Sequence, residues 1–394
     1  MYEKSPLFGA FRVLDSRTSR TGRSDMRLPK LTIGVEEEYQ IVNPETRELA
    51  SSADEIMAEG RELLAEQIKP EFLQSQVEVG SNICHDIDEV RAEFVRLRSA
   101  ICRLAESKGH CVAASGTHPI SQWAMQKVTA GERYTEHEKN MADVARRMLV
   151  FGMHVHIGIE DPDLRIDIMN QARYFVPHFL ALSTSSPFWE GRDTGLKSYR
   201  TLIMNDLPRA GLPPHFNSFA EFESFVDTLV RTNCIDEPTK IWWDMRPHPK
   251  FPTIEFRFVD ICTKIDEAVC LAALFQALVG KLIRLRRSNI SWRHYRRNLI
   301  TENKWRAVRH GKDGVFIDLG RKIELPFRTL MEEILEFVDD VVDDLGIRRD
   351  VEYAQTIMEH GTSADRQLET YRKTGNLMAV VDQIVAESRE GCDL

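Results

Sequence analysis

Residues 33–42 read IGVEEEYQIV, and this stretch decides how the rest of the chain is to be folded. In a β-strand alternate side chains share a face, so Gly34, Glu36, Glu38 and Gln40 point one way while Ile33, Val35, Glu37, Tyr39 and Ile41 point the other. One face carries carboxylates and the other is mostly apolar. Two carboxylates side by side on a sheet face repel each other, and a bound cation or a retained proton relieves that repulsion. The pattern therefore predicts a strand with one carboxylate face, a first pointer to a metal site.

Three further stretches repeat it. In the segment 68–84, Gln74, Gln76 and Glu78 alternate with Ser75, Val77 and Val79. In 150–159, VFGMHVHIGI, Gly152, His154, His156 and Gly158 oppose Met153, Val155 and Ile157. In 253–260, TIEFRFVD, Phe256 and Phe258 supply the buried face, so Glu255 and Arg257 look out to whatever the sheet faces. One polar strand face is ordinary; four with Glu and His recurring at ligand-capable positions are less so. A carboxylate-rich site with one imidazole suits Mg²⁺ or Mn²⁺ better than zinc, whereas His154-x-His156 alone suits a zinc hydrolase equally well.

Further strands are predicted at 111–115 and 241–246, and helices at 53–66, 135–147, 164–182 and 218–231. Asp86 with Glu89 opens a long helix as a capping box, and helical periodicity dominates from Ile265 on, one helix running from Phe327 to a stop at Gly346. The Gly/Pro/Arg-rich loop 185–216 is long enough to be an active-site element.

The 394 residues, 42% apolar and 29% charged, fit a globular protein with a large core, and the net charge of −9 gives no general attraction to nucleic acid or anionic membrane. The basic run Arg284–Arg297 does not overturn that balance. Seven scattered cysteines without C-x-x-C imply reduced thiols and a cytoplasmic protein. The apolar run 268–283 is interrupted by Gln276 and Lys281 and is expected to be a buried core helix. Residues 1–30 lack an apolar signal core and are expected to form a disordered extension, with Met26 a candidate start; 31–394 are expected to form one catalytic domain. Neither a G-x-S-x-G elbow nor a P-loop is present.

From about Leu31 the chain resembles the carboxylate-amine ligases, the glutamate-cysteine ligase type 2 family of the glutamine synthetase-like superfamily. The resemblance lies in GVEEEYQIV, EFLQSQVE, ASGTHP, GMHVHIG, STSSPFWEGRDTGLKSYR, IWWDMRPHP, TIEFRFVD, ENKWRAVRHG and GTSADRQL. It implies an α+β fold: a curved antiparallel sheet with a metal- and nucleotide-binding concave face, helices on the other face, and a helical C-terminal part. It implies ATP with Mg²⁺ or Mn²⁺, held by Glu36, Glu38, Glu71, Glu78, His154 and Glu255, with Arg257 facing the transferred phosphoryl group beside Glu255. The alternative for Arg257 is a cross-strand salt bridge. His156, Arg306 and Arg309 are candidates for the nucleotide, and Arg192 and Arg200 for a substrate carboxylate. The implied reaction joins a small carboxylate and an amine through an acyl phosphate, glutamate and cysteine giving γ-glutamylcysteine being the family default; the long helices offer a homodimer surface. The rival readings are a metal-dependent amidohydrolase using His154 and His156, and a non-catalytic nucleotide-binding protein.

Overall fold

Seven strands form the main sheet: β1 (Ile33–Val42), β2 (Ile68–Pro70), β3 (Gln76–Gly80), β4 (Cys111–Ala113), β5 (Gly152–Gly158), β6 (Met245–Pro247) and β7 (Thr253–Asp260). They come from a computed structural model that describes residues 28–394; Met26 and all but the last residues of the expected N-terminal extension lie outside it. The order is β6-β7-β5-β1-β3-β2, with β4 also paired to β1, and every pairing in this sheet is antiparallel. Such a sheet can bury one face and leave the other polar, which is what the period-two patterns require.

The apolar face is covered by helices. Ile33 and Val35 of β1, Met153, Val155 and Ile157 of β5, and Ile254 and Phe256 of β7 share one core with the helix Ile265–Arg287, where Phe256 stacks on Phe275 at 4.3 Å. This helix is long and apolar enough to cross a membrane, but 83% of its most apolar window is buried inside the protein, as a core helix requires. At the other end of β1, Tyr39 and Ile41 pack with Val77 and Val79 against helices Ala53–Leu64 and Ile87–Ser107. The latter opens on Asp86, which accepts from the Glu89 amide at 2.9 Å. The helix Phe327–Leu345 ends on Gly346 at φ 72°, the left-handed turn that glycine adopts without strain.

Several elements differ from expectation: the strand expected at 241–246 is two, Trp242–Trp243 in a separate two-stranded sheet and β6 in the main one, and the expected loop 185–216 contains the short helix Tyr199–Asn205. The single strand expected over 68–84 is a hairpin, β2 and β3 pairing across a loop at 71–75; Pro70 has no amide hydrogen to continue a ladder. The helix expected at 164–182 is split by a tight turn at Arg173–Phe175, just before Pro177. The helix expected at 135–147 starts at Glu132 and breaks at Ala142, whose φ is 49°.

The most consequential irregularity is in β7. Its register against β5 shifts between Phe256 and Val259, so one extra residue is accommodated there. Such a bulge re-aims side chains locally. On the β6 side of the strand the Arg257 amide donates to the Asp244 carbonyl at 2.8 Å. Beyond the bulge, Asp260 stands opposite Gly152.

Candidate active site

Strand register assembles the site. Lys69 pairs with Glu78 and Glu78 with Glu38, making one row across β2, β3 and β1. Glu36 pairs with His154; His156 pairs with Glu255, which pairs with Arg246. Because partners in register share a face, these pairings bring the polar sets of the separate strands together. His154 Nδ1 lies 3.1 Å from Glu36 Oε2, and Lys69 Nζ bridges Glu36 Oε1 at 3.1 Å and Glu78 Oε1 at 2.9 Å. Glu38 Oε2 accepts from the Gly152 amide at 2.6 Å.

Three sets of donor atoms lie within 4.8 Å of one another: Glu36, Glu78 and His154; Glu36, His156 and Glu255; Glu38, Glu71 and Glu78. Burial and the neighbouring acids Glu36 and Glu71 push the Glu78 carboxyl well up, and burial with Glu78, against the pull of Arg200, pushes Glu38 up to about 7. Burial also raises Glu36, but hydrogen bonds from His154 and His156 outweigh it and hold that carboxyl well below its usual range. Burial and the Arg257 charge pull His154 down to about 4, leaving the neutral imidazole that a metal ion requires. A row of crowded, desolvated carboxylates that gain protons when nothing else neutralises them is a donor set that fits a hard divalent cation.

These groups open on a cavity of about 470 Å³, within the range of small-molecule sites. Its walls carry five carboxylates (Glu36, Glu38, Glu71, Glu78, Glu255) and five cations (Lys69, Arg200, Lys240, Arg246, Arg257), so it is balanced and not a bare acidic trap. Glu255 is gripped from both sides: Arg246 Nε donates to Oε2 at 2.7 Å and Arg257 Nη1 donates to Oε1. Despite its burial, those two guanidinium groups hold the Glu255 carboxyl well below the usual range. Arg200 differs from the other four cations. Among the described residues no carboxylate lies within ion-pair distance of it, its Nη2 donates to the Arg257 carbonyl at 3.2 Å, and its buried Nε has no partner.

All six expected metal ligands line or border this cavity, Arg257 and Arg200 with them. Four other expectations place differently. His156 does not line the cavity; its Nδ1 lies 3.2 Å from Thr253 Oγ1 and its Nε2 lies 3.7 Å from Glu36, and it belongs instead to the donor set with Glu36 and Glu255. Arg192 is exposed and lies over the Tyr199 ring, 5.7 Å from its centroid. Arg306 donates to the Val315 carbonyl at 2.9 Å and pairs with Glu324 at 2.8 Å, and Arg309 donates to the Gly195 carbonyl. The ENKWRAVRHG residue that reaches toward the site is Lys304, buried and paired with Asp244 at 2.6 Å.

The sequence reading did not single out Lys69, Arg246 or Asp260. Asp260 is fully buried and accepts from the Ser185 amide at 3.0 Å, Ser186 Oγ at 2.7 Å and Ser198 Oγ at 2.8 Å. Ser186 Oγ in turn accepts from the Arg200 amide at 3.1 Å. Asp260 thus ties segment 185–186 to Ser198, the residue before the short helix Tyr199–Asn205 that delivers Arg200 to the cavity, and Gly152 leaves space for the arriving guanidinium: a Cβ there would fall 2.2 Å from Arg200 Nη2.

The antiparallel sheet with helices on its apolar face is a fold shared with solved ligases. A glutamate-cysteine ligase from Francisella tularensis, solved in complex with AMP, shares it with a TM-score of 0.70 at 12% identity, covering 92% of this chain and 90% of that one. A bifunctional glutathione synthetase from Pasteurella multocida shares it with a TM-score of 0.63 at 13% identity, over 91% of this chain and 53% of that one. Sequence narrows the class: residues 32–383 match glutamate-cysteine ligase family 2 (GCS2), and the chain belongs to that family. A provisionally named glutamate-cysteine ligase 2 of Herpetosiphon aurantiacus is 55% identical over 363 residues, 92% of this chain and 94% of that one. Its counterpart in Roseiflexus castenholzii is 53% identical over 360 residues, 91% of this chain and 95% of that one.

Proposed function

We propose that this chain is an ATP-dependent carboxylate-amine ligase working through an acyl phosphate, with an amino acid as the carboxylate substrate and glutamate plus cysteine as the family's default pair. The observation that carries this reading is the meeting, in one charge-balanced cavity, of six ligand-type side chains with two arginines whose Nε atoms have no partner among the described residues. A carboxylate does not react with an amine at neutral pH, because its charge deactivates the carbonyl carbon. Attack of a carboxylate oxygen on the γ-phosphorus of ATP expels ADP and gives an acyl phosphate. The amine nitrogen then attacks the carbonyl carbon, the bond to phosphate breaks, and the ammonium proton is lost.

Glu36, Glu38, Glu71, Glu78, His154 and Glu255 are the residues that would hold Mg²⁺ or Mn²⁺, which when bound neutralises phosphate charge. The chain's own part is positioning and charge. Arg257, beside Glu255, serves the transferring phosphoryl group, and Arg200 offers an uncommitted guanidinium to a substrate carboxylate. The amidohydrolase alternative is not favoured by the sheet: His154 and His156 sit on a central antiparallel strand, each engaged with Glu36, and not at the mouth of a parallel barrel.

The test is ADP release across a panel of amino acids and amines with Mg²⁺ or Mn²⁺. Amide formation should be stoichiometric with ADP and should stop in excess EDTA; ATP-independent turnover, or turnover surviving EDTA, would remove the proposal. A second check uses Gly152→Ala. The added methyl occupies the Arg200 guanidinium position, while the flexible side chain can move and spare the fold. KM for the carboxylate substrate should rise roughly 10- to 100-fold, the worth of one charged hydrogen bond, with the melting temperature little changed.

A further inference from the structure

The Lys69 ammonium sits in the notch between Glu36 and Glu78, bonded to one oxygen of each. Those two acids, with His154, form one of the three donor sets close enough to hold a metal ion. We infer that Lys69 is a built-in counter-ion that competes with the divalent cation for this notch and so sets the affinity of the site for metal. The inference rests on the metal-dependent reading above.

Three features of the fold support competition over a passive surface ion pair. First, Lys69 is held opposite Glu78 by the register of the β2–β3 hairpin, so its ammonium reaches the notch without a long search. Second, the partners are unequal in exposure: the Glu78 side chain is 10% exposed and that of Lys69 is 47% exposed. The lysine can withdraw into water, whereas the carboxylate left behind is desolvated and faces Glu38 in register. Another cation must take over. Third, the competing charge is a single ammonium with flexible methylenes, which holds two oxygens less firmly than a divalent ion coordinated by two carboxylates and an imidazole. Lys69 therefore keeps Glu36 and Glu78 neutralised in the metal-free protein and weakens metal binding by the work of its own displacement. The same geometry predicts opposite effects of its removal on the two states: the metal-free protein loses stability and the metal-loaded one gains affinity.

The experiment measures binding of Mn²⁺ alone, by electron paramagnetic resonance or calorimetry at fixed ionic strength, to wild type, Lys69→Met and Lys69→Arg. Lys69→Met should bind Mn²⁺ on the order of 10-fold more tightly, as expected for removing one close cation from a partly solvated site. Its melting temperature should be lower than wild type without metal and recover when Mn²⁺ is added. Lys69→Arg, which keeps the charge, should not gain affinity. Equal or weaker Mn²⁺ binding by folded Lys69→Met overturns the inference, showing Lys69 to be neutral or helpful to the metal. If Lys69→Met does not fold, Lys69→Gln is read by the same criterion. Wild type and variants all failing to bind Mn²⁺ at millimolar concentration would sink the metal site itself, an outcome distinct from unchanged affinity.

Discussion

Arg257→Lys should lower kcat about 10²- to 10³-fold at saturating ATP, the usual effect of removing one electrostatic contact to a transition state, while nucleotide KM and melting temperature stay close to wild type. The backbone supports this separation. At the β7 bulge the Arg257 amide is fixed to the Asp244 carbonyl, and Phe256 remains stacked on Phe275, so neither anchor depends on the side chain. The guanidinium uses Nη1 on Glu255 and leaves Nε without a partner in the cavity wall. Lysine can keep the single bond to Glu255 but lacks the planar fork that spans two phosphate oxygens. The expected alternative, a cross-strand salt bridge, takes the form of a pair within β7, and such a pair with no part in the chemistry would survive the change. Steady-state kinetics over a range of ATP concentrations decides between them, and near wild-type turnover would place Arg257 outside the phosphoryl transfer.

What could be read in advance follows from which features have a period. Strand alternation placed Glu36, Glu38, Glu78, His154 and Glu255 on one face because side-chain direction in a strand is fixed by parity, and the sheet register then brought them together. Glu71 escapes that logic, since it lies in the hairpin loop after Pro70, and it reached the candidate set by resemblance alone. Arg246 sits on a strand of three residues, too short to show a pattern. The β7 bulge left one trace: strict alternation from Phe256 and Phe258 puts Asp260 on the apolar face. A charged residue at a core position was a sign that the register changes before it. Helical phase, in turn, could have sorted the ENKWRAVRHG cations. Ile300, Asn303, Lys304, Ala307 and Val308 make the buried stripe of helix Arg297–His310, which turns Lys304 inward and leaves Arg306 and Arg309 off it. What no local pattern encodes is which residue of segment 185–216 enters the cavity: Arg192, on the two-residue strand Arg192–Asp193, stays exposed, whereas Arg200, eight positions on in the short helix Tyr199–Asn205, is buried in the cavity wall.

Arg98→Met should be the most destabilising of these changes, by about 3–5 kcal/mol, because it strands a buried carboxylate. Glu37 lies between Glu36 and Glu38 on β1 but points to the opposite, apolar face, where the fully buried Arg98 of helix Ile87–Ser107 meets it. The guanidinium also donates to Tyr39 Oη at 3.2 Å, the Thr263 carbonyl at 2.6 Å and the Cys262 carbonyl at 3.2 Å, while Tyr39 Oη donates to Glu37. One side chain thus joins β1, the segment following β7 and a covering helix, and β1 is the strand that presents two of the proposed metal ligands on its other face. Methionine fills much of the volume but makes none of these bonds, leaving the buried Glu37 carboxylate without its counter-charge. Glu37→Gln combined with Arg98→Met should recover a large part of the loss, since the amide still accepts from Tyr39 and no charge remains buried. Denaturant titrations of wild type, both single variants and the double variant measure the coupling. A single variant within about 0.5 kcal/mol of wild type, or a double variant no better than Arg98→Met, would show that β1 is held against its helix by apolar packing alone.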